Sequence, residues 1–348
     1  MSKPQRTEPV FDLTETLKSA GACQTIYSFI MPETEATIDK LLSEESRPHY
    51  HNRYRHAWTS KQDSTHSAFF ATWLDWTKDV VGLDTKIFPH SYPTAGASEA
   101  LREAIYSYGA KARVDGFLPT IHVFEGEYEG FAAYAEAAGI PVQKHNRDNW
   151  QNSLSDIGPN DQFYISQPSA IDGNIWQDYD QFADALYAQH PKTQLMVDLT
   201  YVGAVWKPFH ITVNRPNVET VFFSLSKPMG VYYHRIGGCF SRNAYPGLFG
   251  NKWFKNLFSL ALGTEMMQSY GVHELAQKYR ETAQIPALKH IQKDLGIDGF
   301  TPSDAFLLAH KNMVGLPSSI LEDALIRDGT TTARLCLTPT MAKIAGMI

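Results

Sequence analysis

Apolar residues recur at three- and four-residue spacing through HSAFFATWLDWTKDVVG (66–82), which predicts an amphipathic helix stopped at Gly82. Shorter helices are expected over 11–19 and 33–43. From about residue 90 the pattern changes to short apolar runs alternating with helical stretches. The segments 120–124, 141–145, 161–166, 194–199, 218–226 and 236–241 read as strands. Helices are expected over 97–110, 127–139 (stopped at Gly139) and 178–190. Strands separated by helices of this length predict an α/β fold with a mainly parallel sheet of seven-stranded type sandwiched by helices. Two long helices follow at 253–271 and 272–296. A tail of short strands and turns ends in TTARLCLTP (331–339). The expected division is an N-terminal segment, 1–45, packing on a small C-terminal α+β domain, 272–348, with a large domain over 46–271.

Composition narrows the class. The 348 residues carry 31 Lys+Arg against 37 Asp+Glu, a net charge of −6, so no basic surplus is available to neutralise nucleic-acid phosphates. At 43% hydrophobic and 20% charged, the chain is neither disordered nor fibrous. Cys23, Cys239 and Cys336 are odd in number and far apart, which points to a reducing, cytoplasmic setting and no structural zinc. The start, MSKPQRTEPV, is punctuated by Pro4 and Pro9 and lacks the apolar core of a signal peptide. No apolar run nears the roughly 18 residues of a membrane span. RPHYHNRYRHAW (47–58) reads as a solvated loop or a site-lining segment. Its His49, His51 and His56 lack the companion acids or cysteines of a metal centre.

Four segments place polar residues just beyond strand ends, where open α/β sheets bind ligands. In SLSK (224–227) an apolar strand delivers Lys227 into a hydroxyl-rich turn, and HRIGG (234–238) follows with Arg235 eight residues on. Burial and a like charge favour the neutral amine, the form that attacks an aldehyde. Taken alone, the SxSK residues favour a plain surface turn lysine. In VDLTY (197–201) Asp198 ends an apolar strand and needs a cationic partner, which a protonated pyridine nitrogen supplies; a helix N-cap is the plainer reading. TAGASEAL (94–101) opens a helix behind a small turn, leaving free N–H groups and the Ser98 hydroxyl for a phosphate, or merely for a cap. No GxGxxG or GxxxxGK[ST] motif competes.

Taken in order, the phosphate turn, acid, lysine and arginine resemble the fold-type I pyridoxal-phosphate enzymes of the aspartate aminotransferase superfamily. The match runs from about 90 to 240, and S-x-S-K-x-M-G-x(4)-R-x-G (224–237) is its most specific part. The resemblance implies pyridoxal 5′-phosphate as cofactor and Lys227 as both Schiff-base lysine and proton shuttle. It pairs Asp198 with the pyridine nitrogen and Tyr201 with the phenolic oxygen. Gly96, Ala97, Ser98, Ser224, Ser226 and Arg235 are placed around the phosphate. Tyr128, in EGEYEGF (125–131), falls where an aromatic covers the ring, although a tyrosine packed at a helix start is an equal reading of the residues. Arg334, in ARLCLTP (333–339), takes the place of the arginine that grips a substrate α-carboxylate.

One stretch departs from the family. SQPSAIDGN (166–174) carries Gln167 where asparagine usually meets the phenolic oxygen, with three extra residues before the glycine. The resemblance implies an amino-acid aminotransferase acting through a Cα carbanion, and a homodimer with shared sites. The departure keeps elimination, replacement or cyclisation of a specialised amino acid as the alternative, and a non-catalytic cofactor-binding module as a more distant one. No metal, membrane or nucleic-acid partner is expected.

Overall fold

The computed structural model describes residues 12–348. The Pro4/Pro9 start lies outside the described residues. Helices α1 (Leu13–Ser19), α2 (Pro32–Leu42), α3 (Arg47–Ser60) and α4 (Asp63–Trp76) precede strand β1 (His90–Thr94). Then α5 (Ala97–Asp115), β2 (Ile121–Phe124), α6 (Gly130–Ala138), β3 (Val142–His145), α7 (Trp150–Ser153), β4 (Gln162–Ser166), α8 (Tyr179–Gln189), β5 (Gln194–Asp198), β6 (Val218–Ser224) and β7 (Gly237–Ser241) build the central layers. After α9 (Pro246–Asn251) come α10 (Leu257–Ser269), α11 (Glu274–Tyr279) and α12 (Ile285–Leu295), the last two joined by one π-helical turn. A second sheet holds β8 (Thr301–Pro302), β9 (Leu308–Asn312) and β10 (Thr332–Cys336), with α13 (Ile320–Leu325) before β10 and α14 (Thr338–Ile344) after it.

The seven-stranded sheet has the order β1-β7-β6-β5-β4-β2-β3. Strands β3, β2, β4, β5 and β6 are parallel, whereas β7 runs antiparallel to both β6 and β1. This is the mainly parallel α/β sheet that the strand pattern predicts. Strands β2, β4 and β6 are buried along their whole length, as helices on both faces require. Because only β7 is reversed, the carboxyl ends of β1, β2, β4, β5 and β6 and the amino end of β7 open on one edge. Each predicted polar segment is therefore delivered to that edge by its own strand.

Local chemistry explains where elements stop. Helix α5 buries Ala97, Ala100, Leu101, Ala104 and Ile105 at helical spacing. It ends at Gly116, whose φ of 80° only glycine adopts readily. Gly139 closes α6 in the same way. Helix α4 differs from expectation: it starts at Asp63 and stops at Trp76 rather than at Gly82. The Thr77 hydroxyl and amide both bond to the Trp73 carbonyl, and Val81 leaves to bridge Ile211. Strand β1 is absent from the expected strands because HSYPT alternates poorly and holds a proline. The segment 47–58 is also a correction, being helix α3 rather than a loop. It buries no side chain, so no apolar period announces it. Its Pro48 sits in the first turn, where a missing N–H costs nothing. Among the described residues no helix is long and apolar enough to cross a membrane.

The helix layer is fixed to the sheet by stacked rings. Trp73 of α4 is 1% exposed and lies on Phe223 of β6 with ring centroids 4.4 Å apart. Phe69, Phe70 and Phe240 pack around the same pair. Trp73→Ala is expected to cost about 3–5 kcal/mol, because the rigid sheet beneath leaves the cavity open. The urea midpoint of unfolding, read at constant m-value, checks it.

Candidate functional site

Beyond β1, Gly96 adopts φ 84° and ψ 172°. A Cβ there would come within 2.9 Å of Arg235 Nη2 and 3.6 Å of Ser224 Oγ. A Cβ on Gly237 would stand 2.7 Å from the Gly96 Cα. Two backbones thus approach as closely as glycine allows, and they form a cradle at the N-terminus of the 19-residue α5. Arg235 Nη2 donates to the Ala95 carbonyl at 2.6 Å and to Ser98 Oγ at 3.2 Å. Ser224 Oγ donates to Ser226 Oγ at 3.0 Å. Arg235 itself is non-glycine at φ 53°, a strained conformation retained where its side chain is needed over the cradle. The structure therefore brings Gly96, Ala97, Ser98, Ser224, Ser226 and Arg235 together.

Asp198 ends β5 and is 6% exposed. Burial raises its pKa against the opposing pull of Thr200 and Tyr164. Tyr164 Oη donates to Asp198 Oδ2 at 2.8 Å, and the Thr200 hydroxyl and amide donate to Oδ1 at 2.5 and 2.9 Å. No cationic side chain pairs with it among the described residues. Lys227 lies half-buried past β6, and burial, joined by Arg334 and Arg235, lowers its pKa to about 8 against the pull of the two thiols at Cys336 and Cys23. Its Nζ donates to the Ile26 carbonyl, from the segment between α1 and α2. That segment is anchored by Ser28 Oγ, which donates to the Ser226 carbonyl at 2.5 Å.

Arg334, on β10, is 5% exposed rather than solvated, and burial lowers its pKa to about 10. Its guanidinium donates to the carbonyls of Ala170 and, at 3.3 Å, Gln24, while Nε is buried without a partner. Tyr201 is buried, and burial pushes its hydroxyl's pKa upward, with Arg334 opposing the rise and Asp198 adding to it. Tyr128 is 41% exposed, with its ring against Gly130, and it senses Asp198 and Arg235. Gln167 clamps one neighbour with both ends of its amide. Nε2 donates to the Trp176 carbonyl at 3.0 Å, and Oε1 accepts from the Trp176 amide at 3.1 Å. The histidines of α3 do not join this edge. His49, Arg53 and His56 line a separate groove of about 640 Å³ with Leu41, Ala261 and Glu265.

Sequence reasoning missed two groups on the floor. Tyr164 lies two residues before Ser166, which pairs with Asp198, so strand alternation puts Tyr164 on the acid's own face. Glu127 is 3% exposed. Its Oε1 accepts from the Ser166 amide at 3.1 Å and its Oε2 from the Ser166 hydroxyl at 2.6 Å. Burial raises its pKa to about 7 against the opposing pull of those Ser166 bonds and Arg147, with Asp198 adding to the rise. The motif EGEYEG offers acids at 125, 127 and 129, and composition does not say which one turns inward.

No protein-family model and no curated protein matches the chain. Solved structures do. YbdL of Escherichia coli, a methionine aminotransferase, superposes with a TM-score of 0.64 at 14% identity, covering 100% of this chain and 99% of that one. A probable N-succinyldiaminopimelate aminotransferase of Thermus thermophilus gives 0.64 at 16% identity, with 96% of each chain covered. A pyridoxal-phosphate-bound C-S lyase of Staphylococcus hominis gives 0.60 at 14% identity, with 80% of each chain covered. The fold is that of the fold-type I aminotransferases. Enzymes of more than one reaction class share this architecture, so the chemistry must be argued from the side chains at the sheet edge.

The Glu127 carboxyl gives a measurable sign. Its folded pKa lies above the unfolded value of about 4.3, so the folded state binds more protons between about pH 4.3 and 7, and stability falls as pH rises through that window. The amide introduced by Glu127→Gln would reproduce the protonated acid, donating to Ser166 Oγ while accepting from its amide. The variant is expected to be about 3–4 kcal/mol more stable than the wild type at pH 8, with the difference gone near pH 4. Chemical denaturation at the two pH values reads it.

Proposed function

We propose that the chain is a pyridoxal-phosphate enzyme acting on an amino acid, and that its reaction is transamination. The observation that carries the proposal is the separation of unpaired charge across one buried edge among the described residues: Asp198 without a cation, and Lys227 and Arg334 without a carboxylate. The residues fit that cofactor. The glycine cradle, Ser98, Ser224, Ser226 and Arg235 would hold a phosphate dianion by free amides, hydroxyls and a guanidinium. Asp198 would hold the ring nitrogen. Tyr201, with the remaining amide hydrogen of Gln167, would hold the phenolic oxygen, and Tyr128 would cover the ring face. When bound, the cofactor supplies an electron sink for charge developing at the substrate Cα.

The chain's own residues do the rest. Lys227, with a pKa near 8, is neutral in an appreciable fraction at physiological pH and takes or returns a proton at the substrate Cα. The hydrogen bond from Tyr164 fixes the Asp198 carboxylate in place. Arg334 presents a buried guanidinium with a free Nε to a carboxylate, a planar contact that lysine cannot copy. Holding the α-carboxylate there opposes its loss, which favours transfer over decarboxylation. Elimination, replacement or cyclisation uses the same proton removal and remains the second reading, supported by Gln167 and Glu127. A two-fold partner completing the site, the cytoplasm as location, and the division into segments 1–45, 46–271 and 272–348 belong to the same proposal.

Incubation with pyridoxal phosphate, borohydride reduction and peptide mapping should place one covalent adduct on Lys227 and none in Lys227→Ala; label elsewhere sinks the cofactor reading. With the cofactor loaded, an amino-acid panel should release a keto acid and pyridoxamine phosphate in equal amounts. Ammonia without pyridoxamine phosphate selects the second reading. Arg334→Ala should lower kcat/KM for the best amino acid by about 100-fold or more, the loss of a buried charge-assisted pair.

A further inference from the structure

Two thiols meet beside Lys227. Cys23 follows α1, and Cys336 is the last residue of β10. The two residues form an isolated antiparallel bridge in which both backbone bonds are made. The Cys23 amide donates to the Cys336 carbonyl at 3.2 Å, and the Cys336 amide to the Cys23 carbonyl at 2.9 Å. Residues that exchange both bonds stand directly opposite, about 5.5 Å apart at Cα, with side chains on the same face. That separation is inside the range of about 4.4–6.8 Å that a disulfide spans. The Cys23 thiol donates to the Thr25 carbonyl at 3.2 Å and lies near Cys336 Sγ, which is 3.2 Å from Thr338 Oγ1. Burial disfavours a Cys336 thiolate, but the bonds from Cys23 and Thr338 and from the Tyr27 backbone outweigh it and bring the pKa to about 6. The Cys23 thiol is pushed well above its ordinary pKa by Cys336 and by burial. The third cysteine, Cys239, is buried inside β7 with its pKa raised by burial, and it has no such neighbour.

We propose that Cys23 and Cys336 are a redox modification site, oxidised to an intramolecular disulfide by exchange with a low-molecular-weight disulfide, and that the cross-link clamps the 23–28 segment over Lys227 and Arg334. Cys23 is the half-buried member and the one that solvent reaches. It passes its proton to Cys336 as its sulfur attacks the small disulfide, whose S–S bond breaks and releases one thiolate. Cys336 yields that proton to the departing thiolate, attacks Cys23 Sγ as a thiolate and expels the second small thiolate. The protein gives up two electrons and the one proton of the pair, and one small thiol and one small thiolate leave. The consequence lies in the backbone next to Cys23. The Gln24 carbonyl accepts from Arg334 and the Ile26 carbonyl from Lys227. A ligand that takes the Ile26-bonded amine of Lys227 or the Gln24-bonded nitrogen of Arg334 displaces that carbonyl, and the covalent bridge keeps the segment from lifting. The effect on turnover rests on the proposed function; the cross-link and the shielding of Lys227 do not.

The test equilibrates the full chain with oxidised glutathione, maps its peptides without reduction, and measures Lys227 acetylation by an N-hydroxysuccinimide acetate. The expected result is a Cys23–Cys336 linked peptide with Cys239 free. Lys227 acetylation should slow at least tenfold, recover with dithiothreitol, and stay unchanged by oxidant in both Cys23→Ser and Cys336→Ser. A stable glutathione adduct on Cys23 with no cross-link overturns the proposal. So does a cross-link that leaves the Lys227 rate unaltered. Because acetylation needs no cofactor, failure of the cofactor reading would show separately, as a reactive Lys227 that captures no pyridoxal phosphate.

Discussion

Asp198 is a carboxylate enclosed by protein and left without a counter-charge among the described residues. Taking a lone carboxylate out of water costs several kcal/mol even after relaxation. Bonds from Tyr164 and Thr200 offset part of that, and burial still raises the pKa. Across the edge stand cations in the mirrored condition, Lys227 bonded to a backbone carbonyl and Arg334 with a bare Nε. A fold selected only for stability would have closed these charges onto one another. Their separation persists because the cradle, the floor and the β10 arginine are carried by different strands. The proposed cofactor and substrate, one phosphorylated and the other zwitterionic, would complete the arrangement electrostatically.

That dependence on separate strands explains which parts of the site were legible. SLSK and VDLTY announce themselves because an apolar run ends abruptly in residues that a strand interior rejects, and TAGASEAL because a small glycine turn opens directly into a helix. Once the strands are parallel, their ends must share an edge, so the cluster follows from topology. Glu127 and the Ile26 carbonyl carry no such mark. The first is one of three similar acids in a loop, singled out only by where the Ser166 amide points at the end of β4. The second is a backbone atom on a segment 201 residues from the lysine it receives. The expected loop at 47–58 failed for a related reason. Period-based reading detects helices through what they bury, and α3 buries nothing.

The floor differs from the usual plan in a coordinated way. Gln167 directs its amide to the Trp176 backbone, and that clamp closes the longer loop 166–174 characteristic of this chain. Beside it the buried Ser166 engages Glu127 through both its amide and its hydroxyl. A second buried carboxyl with a pKa of about 7 beside Asp198 is a group whose charge state can change near neutrality. When protonated it leaves Asp198 as the sole negative charge on the floor. When ionised it adds a like charge that raises the proton affinity of whatever Asp198 holds.

The 23–28 segment couples the two halves of this electrostatic arrangement. It is tied to β10 by the Cys23–Cys336 bridge, to the β6 turn by Ser28, and to both site cations by carbonyl oxygens. Carbonyl dipoles are weak substitutes for a carboxylate, good enough to keep a buried ammonium and guanidinium from standing bare yet readily exchanged for a full negative charge. A segment held by backbone bonds, the Ser28 hydroxyl and one bond from the Gln24 side-chain amide to the Ala324 carbonyl can yield when such a charge arrives. The same loose attachment makes the thiol pair consequential, because a covalent bond at Cys23 acts one residue from the carbonyl on Arg334 and three from the carbonyl on Lys227.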